Sequence, residues 1–368
     1  MQKHPKAWAN ELSNYINRAH FERGKGVSKR TSRENSDDDH RVHGKKTRKN
    51  YSADIRQFAN FLHEKGVTDV LKIKPAHSEE FLRTQIEKRL SASTLNSKKQ
   101  AIVKLQNAVA HEKGRKKVTM IDDEKTAEML KAAQKIRHAD PRHADRKKGA
   151  IITQNEATTI EKTLASSRSP NAKAAAGIEK MQTLTGARVS EAFSIKAGDV
   201  NVEGNAIKFK ESKGGKTRVI HVDDETAQLF ADLKRGKKDN TPLFTFRDHN
   251  GQIVAKDEAA RSYHRLIKNA RNQAGLGRES GAQITSHSFR KVYANELAQK
   301  LREAPLERVI QGARMLSNNP SFKKKLNDMT GGRITASNRW KAEQMIVSHT
   351  LGHNRRDVLA FYLSDRSH

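Results

Sequence analysis

Apolar side chains recur at helical spacing in short blocks, each cut off by glycine or proline, which points to bundles of short packed helices. Tyr51, Ile55, Phe58, Phe61 and Leu62 mark one face. Phe81, Leu82, Ile86 and Leu90 mark a second, and Leu95, Ile102, Val103, Leu105 and Val109 a third. A weaker fourth runs over 127–136, with Gly66 and Pro75 as punctuation. The spacing predicts a small all-helical domain over 51–136. Ahead of it, Trp8, Leu12, Tyr15 and Ile16 predict a short helix. Residues 24–50 are rich in Gly, Ser, Lys and Arg, so 1–50 reads as a helix followed by a basic flexible arm. A basic linker containing Pro141 spans 137–150.

The second half, 151–368, predicts helices near 154–164, 172–185, 227–233, 258–274, 288–301 and 342–349. One segment breaks the pattern. Residues 206–209 alternate, Lys213-Gly214-Gly215-Lys216 makes a turn, and 218–222 alternate again, which is a β-hairpin.

A chain of 368 residues can hold two domains with real cores. Its net charge of +30 is spread evenly. Residues 1–150 carry 35 Lys and Arg against 19 Asp and Glu, or +16, and the remainder 37 against 23, or +14. Both halves are therefore expected to meet a polyanion, DNA or RNA. The lack of cysteine excludes disulfides and thiolate zinc sites. No apolar run approaches the roughly 20 residues of a membrane span, and no signal peptide is evident. A cytoplasmic, nucleoid-associated protein with no membrane partner is expected.

Chemistry-bearing residues cluster in four places. Thr185-Gly186-Ala187-Arg188-Val189-Ser190-Glu191 puts an arginine beside an i+3 carboxylate at a helix start. His287-Ser288-Phe289-Arg290 opens another helix after Thr285-Ser286, so both side chains share a face at an anion-favouring end. The hairpin carries Lys213 and Lys216. Leu351-Gly352-His353 stands nine residues before Tyr362 at its histidine. Two arginines, two histidines and a tyrosine suit phosphodiester chemistry without metal: the arginines bind nonbridging oxygens, the histidines handle protons, and the tyrosine attacks. Gly215-Lys216-Thr217 is no phosphate-binding loop, because Lys210 occupies the position of the required glycine and the context is strand–turn–strand. His349 and His353 lack a third ligand. No metal and no cofactor is expected.

In this order, the four segments resemble the boxes of the tyrosine recombinase and phage integrase family. The likeness is strong over 150–368 and architectural over 51–136. It implies a helical, SAM-like core-binding domain followed by a mixed α/β, mainly helical catalytic domain with a small antiparallel sheet. It implies catalytic roles for Arg188, Lys213, His287, Arg290, His353 and Tyr362, support from Glu191, and Asp199 closing the first box. Lys216 is the second choice for the hairpin lysine and a DNA contact, as are Lys45, Lys46, Arg48, Lys49, Lys98 and Lys99. It further implies site-specific recombination of double-stranded DNA through a 3′-phosphotyrosyl link, by a homotetramer that integrates or excises a mobile element. An accessory DNA-bending or directionality protein is a further partner. A hairpin telomere resolvase, a type IB topoisomerase and a non-catalytic DNA-binding regulator remain as alternatives. The sequence departs from the family in two respects. The interval from Arg290 to His353, 63 positions, is long, placing an insertion near 302–341. After Tyr362 only six residues remain, fewer than the usual exchanged helix, so the insertion, with Leu306, Val309, Ile310, Met315 and Leu316, is expected to join protomers.

Overall fold

The computed structural model describes residues 3–27, 32, 40–138, 150–212, 216–276, 283–353, 359, 362 and 363, without the side chains of 134–138, 211–212 and 216. The chain divides into two compact units, 1–144 and 145–368.

The first unit is helical: α1 (Pro5–Phe21), α2 (Lys45–Glu64), α3 (Pro75–Glu87), α4 (Ala92–Glu112) and α5 (Asp123–His138). Pro5 and Pro75 open their helices, where the missing N–H costs nothing. Ser91 caps α4 by accepting from the Thr94 N–H at 3.1 Å. Trp8, Leu12 and Ile16 pack into the same core as Ile55, Phe58, Phe81, Ile102 and Leu105. The described part of residues 1–50 is more than a helix with a loose arm. The first helix is core, Val42 is buried with its N–H on Ala19 O, and helix resumes at Lys45. Arg18 and Arg23 both reach Glu112, at 2.6 and 3.1 Å, and lock α1 to the end of α4.

The second unit begins with α6 (Gln154–Ala165), started by a reciprocal Thr153–Glu156 cap, and α7 (Pro170–Thr185). A one-turn helix α8 (Val189–Ala192) leads to a three-stranded antiparallel sheet: β1 (Val200–Asn201), β2 (Ala206–Ser212) and β3 (Lys216–His221), in that order. Asp199 sits buried at its entrance, accepting from the Lys196 N–H at 3.0 Å. Ile207 pairs with Ile220 and Phe209 with Arg218. Then come α9 (Asp224–Lys234), α10 (Lys256–Gln273) and α11 (Ser286–Glu303). Ile178, Met181, Phe209, Phe230, Tyr263 and Phe289 form the main core.

The segment read as an insertion folds into α12 (Leu306–Leu316) and α13 (Pro320–Thr330), followed by α14 (Arg339–Thr350). Val309, Ala313, Phe322 and Leu326 pack on Ala342, Met345 and Ile346. Arg339 Nη2 closes the end of α11 by donating to Leu301 O and Ala304 O at 2.8 and 2.9 Å. Part of the apolar stripe expected to bridge protomers is thus used within the chain: Val309 is buried and Leu316 packs on the same cluster, whereas Met315 is 64% exposed.

Glu179 on α7 is 1% exposed, and neither carboxylate oxygen has a hydrogen-bond partner among the described residues. Burial, with Glu161 adding repulsion, raises its pKa well above the usual carboxylate range. The folded state therefore holds a proton that the unfolded chain releases, and stability falls as pH rises past the unfolded carboxylate pKa. Glu179→Met should stabilise by about 1–3 kcal/mol, the cost of an unsatisfied buried polar group. The gain in Tm should be larger near about pH 8 than near about pH 5. A loss of Tm at the higher pH would refute this.

Candidate active site

The site is assembled at helix ends within the second unit. Helix α7 ends at Gly186, whose φ is +60°, a conformation that favours glycine. A Cβ there would also lie 2.5 Å from the Tyr293 ring. The turn is held from below: Tyr263 Oη donates to Gln182 Oε1, and Gln182 Nε2 donates to Ala187 O, both at 3.0 Å. Arg188 follows as the N-cap of α8. Glu191 folds back to accept from the Arg188 N–H at 2.6 Å and from Arg188 Nη1 at 2.9 Å. Arg188 Nη2 donates to Leu351 O at 3.2 Å.

Helix α11 is capped by Thr285, which accepts from the His287 N–H, while Ser288 Oγ accepts from the Thr285 N–H. One turn in, Arg290 is 0% exposed. Its Nη1 donates to Gly186 O and its Nη2 to Leu351 O, with His353 Nε2 3.3 Å from Nη2. Its Nε donates to Tyr362 Oη at 3.3 Å. Burial and the neighbouring Arg188 and Arg218 charges lower the Arg290 pKa to about 10, with Tyr362 opposing, so the guanidinium stays charged at neutral pH.

Helix α14 delivers the third segment. Gly352, with φ +73°, turns the chain beside the Arg188 guanidinium, and the His353 N–H donates to Ser348 O at 2.9 Å. His353 Nε2 lies 3.0 Å from Tyr362 Oη. Tyr362 is 4% exposed among Ala294, Ala298, Val347, Leu351 and Leu359. Its carbonyl accepts from Asn295 Nδ2 at 2.9 Å. The His287 ring stands 5.0 Å from the Tyr362 ring, centroid to centroid. Partial desolvation, then the Arg290, Lys291 and Arg188 charges, lower its pKa to about 4. His287 is therefore neutral at pH 7 even though the residue keeps solvent access.

Arg188, Glu191, His287, Arg290, His353 and Tyr362 thus come together. Lys213 lies outside the described residues; Lys216 is the first residue of β3, and its side chain is not described. Lys45, Lys46 and Lys49 are exposed on the first turns of α2, in the other unit. Two expected DNA contacts need correction. Lys98 is 3% exposed and bonded to Asp54 and Gln57, and Lys99 is 6% exposed and paired with Asp123. These two cations brace helices, because a buried charge is tolerated only when paired. Arg48 is half-buried, stacks on Phe21 and donates to Asn17 Oδ1 at 2.8 Å. Sequence reasoning missed Arg218, Asn295 and the Tyr263–Gln182 pair. Only Arg218 left a signal: a cation at an inward phase of an alternating strand, two residues before buried Ile220.

Among the described residues no group of acidic and histidine side chains could hold a metal ion, and no helix is long and apolar enough to cross a membrane. The catalytic unit matches the phage integrase family over residues 150–311, and the helical unit matches the N-terminal SAM-like domain of phage integrases over 39–113. The first match stops short of His353 and Tyr362. The tyrosine recombinase XerA of Saccharolobus solfataricus is 26% identical over 110 residues, 30% of this chain and 32% of that protein. That of Pyrococcus horikoshii is 29% identical over 117 residues, 31% of this chain and 38% of that protein. The chain matches only about a third of the length of these curated relatives. A structure of the site-specific recombinase XerH bound to difH substrate superposes with a TM-score of 0.58 at 14% identity, covering 98% of this chain and 93% of that one. The Tn1549 transposon integrase in complex with transposon right end DNA gives 0.53 at 14% identity, covering 97% and 96%. These likenesses establish a shared fold. With two family matches that together span more than half of its length, the chain belongs to the phage integrase family of tyrosine recombinases.

Proposed function

We propose that the protein is a site-specific DNA recombinase that cleaves and rejoins strands through a 3′-phosphotyrosyl intermediate, acting on a mobile element. The observation that carries this reading is the convergence of Arg290 Nε and His353 Nε2 on Tyr362 Oη, at 3.3 and 3.0 Å, beside Arg188. Tyr362 Oη forms the bond to phosphorus while the bond to the 5′-oxygen breaks. His353, 3.0 Å from Tyr362 Oη, takes the phenolic proton, and neutral His287 assists. Arg188 and Arg290 stabilise the charge that grows on the nonbridging oxygens. Lys213 gives the departing 5′-oxygen its proton. The link conserves the phosphodiester bond energy, so rejoining to another strand needs no ATP. The DNA complexes formed by XerH and the Tn1549 integrase support a duplex substrate, and the latter supports a mobile-element role. Four protomers acting on two sites, an accessory bending protein and a nucleoid location complete the reading.

Incubation with a nicked suicide duplex taken from the repeats flanking the gene should yield a protease-sensitive DNA–protein band. Its absence across candidate sites, with duplex binding intact, would favour a non-catalytic regulator.

The hairpin register is tested separately. Lys213→Ala should lose cleavage on an ordinary duplex and regain it when the 5′-bridging oxygen is sulfur, which leaves without a proton. Lys216→Ala should keep substantial activity on both. Sulfur rescue of the Lys216 variant alone would move the proton donor to Lys216.

A further inference from the structure

Arg218 lies on β3 opposite Phe209 and stacks on that ring at 4.8 Å. Its side chain is 12% exposed, and its hydrogen bonds run to the end of α7, to α8 and to the end of α14. Nη2 donates to Glu191 Oε2 at 2.7 Å, and Nε donates to Glu191 Oε1 at 3.4 Å. Nη1 donates to Thr350 O at 2.5 Å, at the end of α14 just ahead of Leu351-Gly352-His353. Nη2 also reaches Gly186 O at 3.4 Å, the carbonyl that Arg290 holds.

The Glu191 side chain is only 1% exposed. A carboxylate so buried demands compensation. It is shared: Arg188 offers one guanidinium arm and its backbone N–H, and Arg218 offers a fork. Without Arg218, Glu191 would draw the Arg188 guanidinium into a two-armed pair, the geometry arginine and carboxylate prefer. The arm directed to Leu351 O would be diverted, and Arg188 would meet a phosphate with its charge already neutralised.

We infer that Arg218 is a positioning residue that shares the Glu191 carboxylate, so that Arg188 stays available to the scissile phosphate. The inference rests on the recombinase reading. Wild-type adduct formation tests that reading, and the Arg218 variants test this one.

The measurements are the single-turnover rate of adduct formation on the suicide duplex, the Kd for uncleavable duplex, and Tm. Arg218→Ala should slow cleavage by about 10²-fold, the scale of one lost charge-assisted donor. Kd should stay within about threefold, because affinity for DNA is spread over many phosphate contacts. Arg218→Lys keeps the charge without the fork and should fall between the two. The decisive variant is Arg218→Ala with Glu191→Gln. Removing the carboxylate charge releases Arg188, so the double variant should cleave faster than Arg218→Ala alone. A merely structural Arg218 predicts the opposite, since two buried partners are then lost. If Arg218→Ala does not fold, the same comparison is made on Arg218→Lys, with and without Glu191→Gln. A double variant as slow as its parent, or Arg218→Ala within about threefold of wild type, would overturn the inference.

Discussion

Tyr362→Phe should abolish covalent capture of DNA while leaving duplex affinity unchanged. The substitution removes one atom, Oη, and keeps a ring that is buried among Ala294, Val347, Leu351 and Leu359. The fold therefore has no reason to change. Two contacts are lost, with Arg290 Nε and His353 Nε2, and their net cost to stability is about 1 kcal/mol each or less. The loss in chemistry is of another order. Without the attacking oxygen no phosphotyrosyl bond can form, and loss of a covalent nucleophile is worth on the order of 10⁶ in rate. Both proteins would be incubated with the suicide duplex and resolved on denaturing gels, with Kd measured in parallel. A DNA-linked band from the Phe variant would remove Tyr362 from the role of nucleophile.

Most of the side chains that come together around Tyr362 were legible because they sit at local structural signals. Arg188 and Glu191 are three apart around a helix start, His287 and Arg290 share a helix face, and Gly352 permits the turn that His353 needs. These are short-range relations, and sequence spacing carries them. Long-range relations were not legible. Trp8, Leu12 and Ile16 looked like an isolated helix because their partners Ile55, Phe58 and Leu105 lie 39 to 97 residues away. Lys98 and Lys99 looked like DNA contacts because a charge in a sequence has no direction; folding points both at carboxylates. Arg218 was passed over for the same reason. Its partners Glu191 and Thr350 stand 27 and 132 positions away. A basic chain disguises its structural cations among its surface ones.

Arg290→Ala should be the most damaging of the cation substitutions, and its effect has two separable parts. The first is structural. The guanidinium is fully buried and donates to Gly186 O and Leu351 O, so truncation strips two buried carbonyls of a donor. Each carbonyl keeps a second donor, Arg218 Nη2 at Gly186 O and Arg188 Nη2 at Leu351 O, so the loss is of charge-assisted hydrogen bonds, about 1.5–3 kcal/mol, which should appear as a lowered Tm. The second part is chemical. On the proposed mechanism Arg290 joins the phosphate-binding face to the nucleophile, since its Nε donates to Tyr362 Oη. Loss of one preorganised donor to developing oxyanion charge costs about 10²–10³ in rate. Arg290→Lys separates the parts: an ammonium restores charge but cannot serve two carbonyls and a phenol in one plane. It should recover affinity for DNA and little of the cleavage. The rates belong at a temperature well below both Tm values, so that unfolding does not enter them. If Arg290→Lys cleaves like wild type, the fork geometry is irrelevant and Arg290 acts only as a charge. If Arg290→Ala loses Tm but not rate, Arg290 is a brace for the Gly186 and Leu351 turns and has no part in the chemistry.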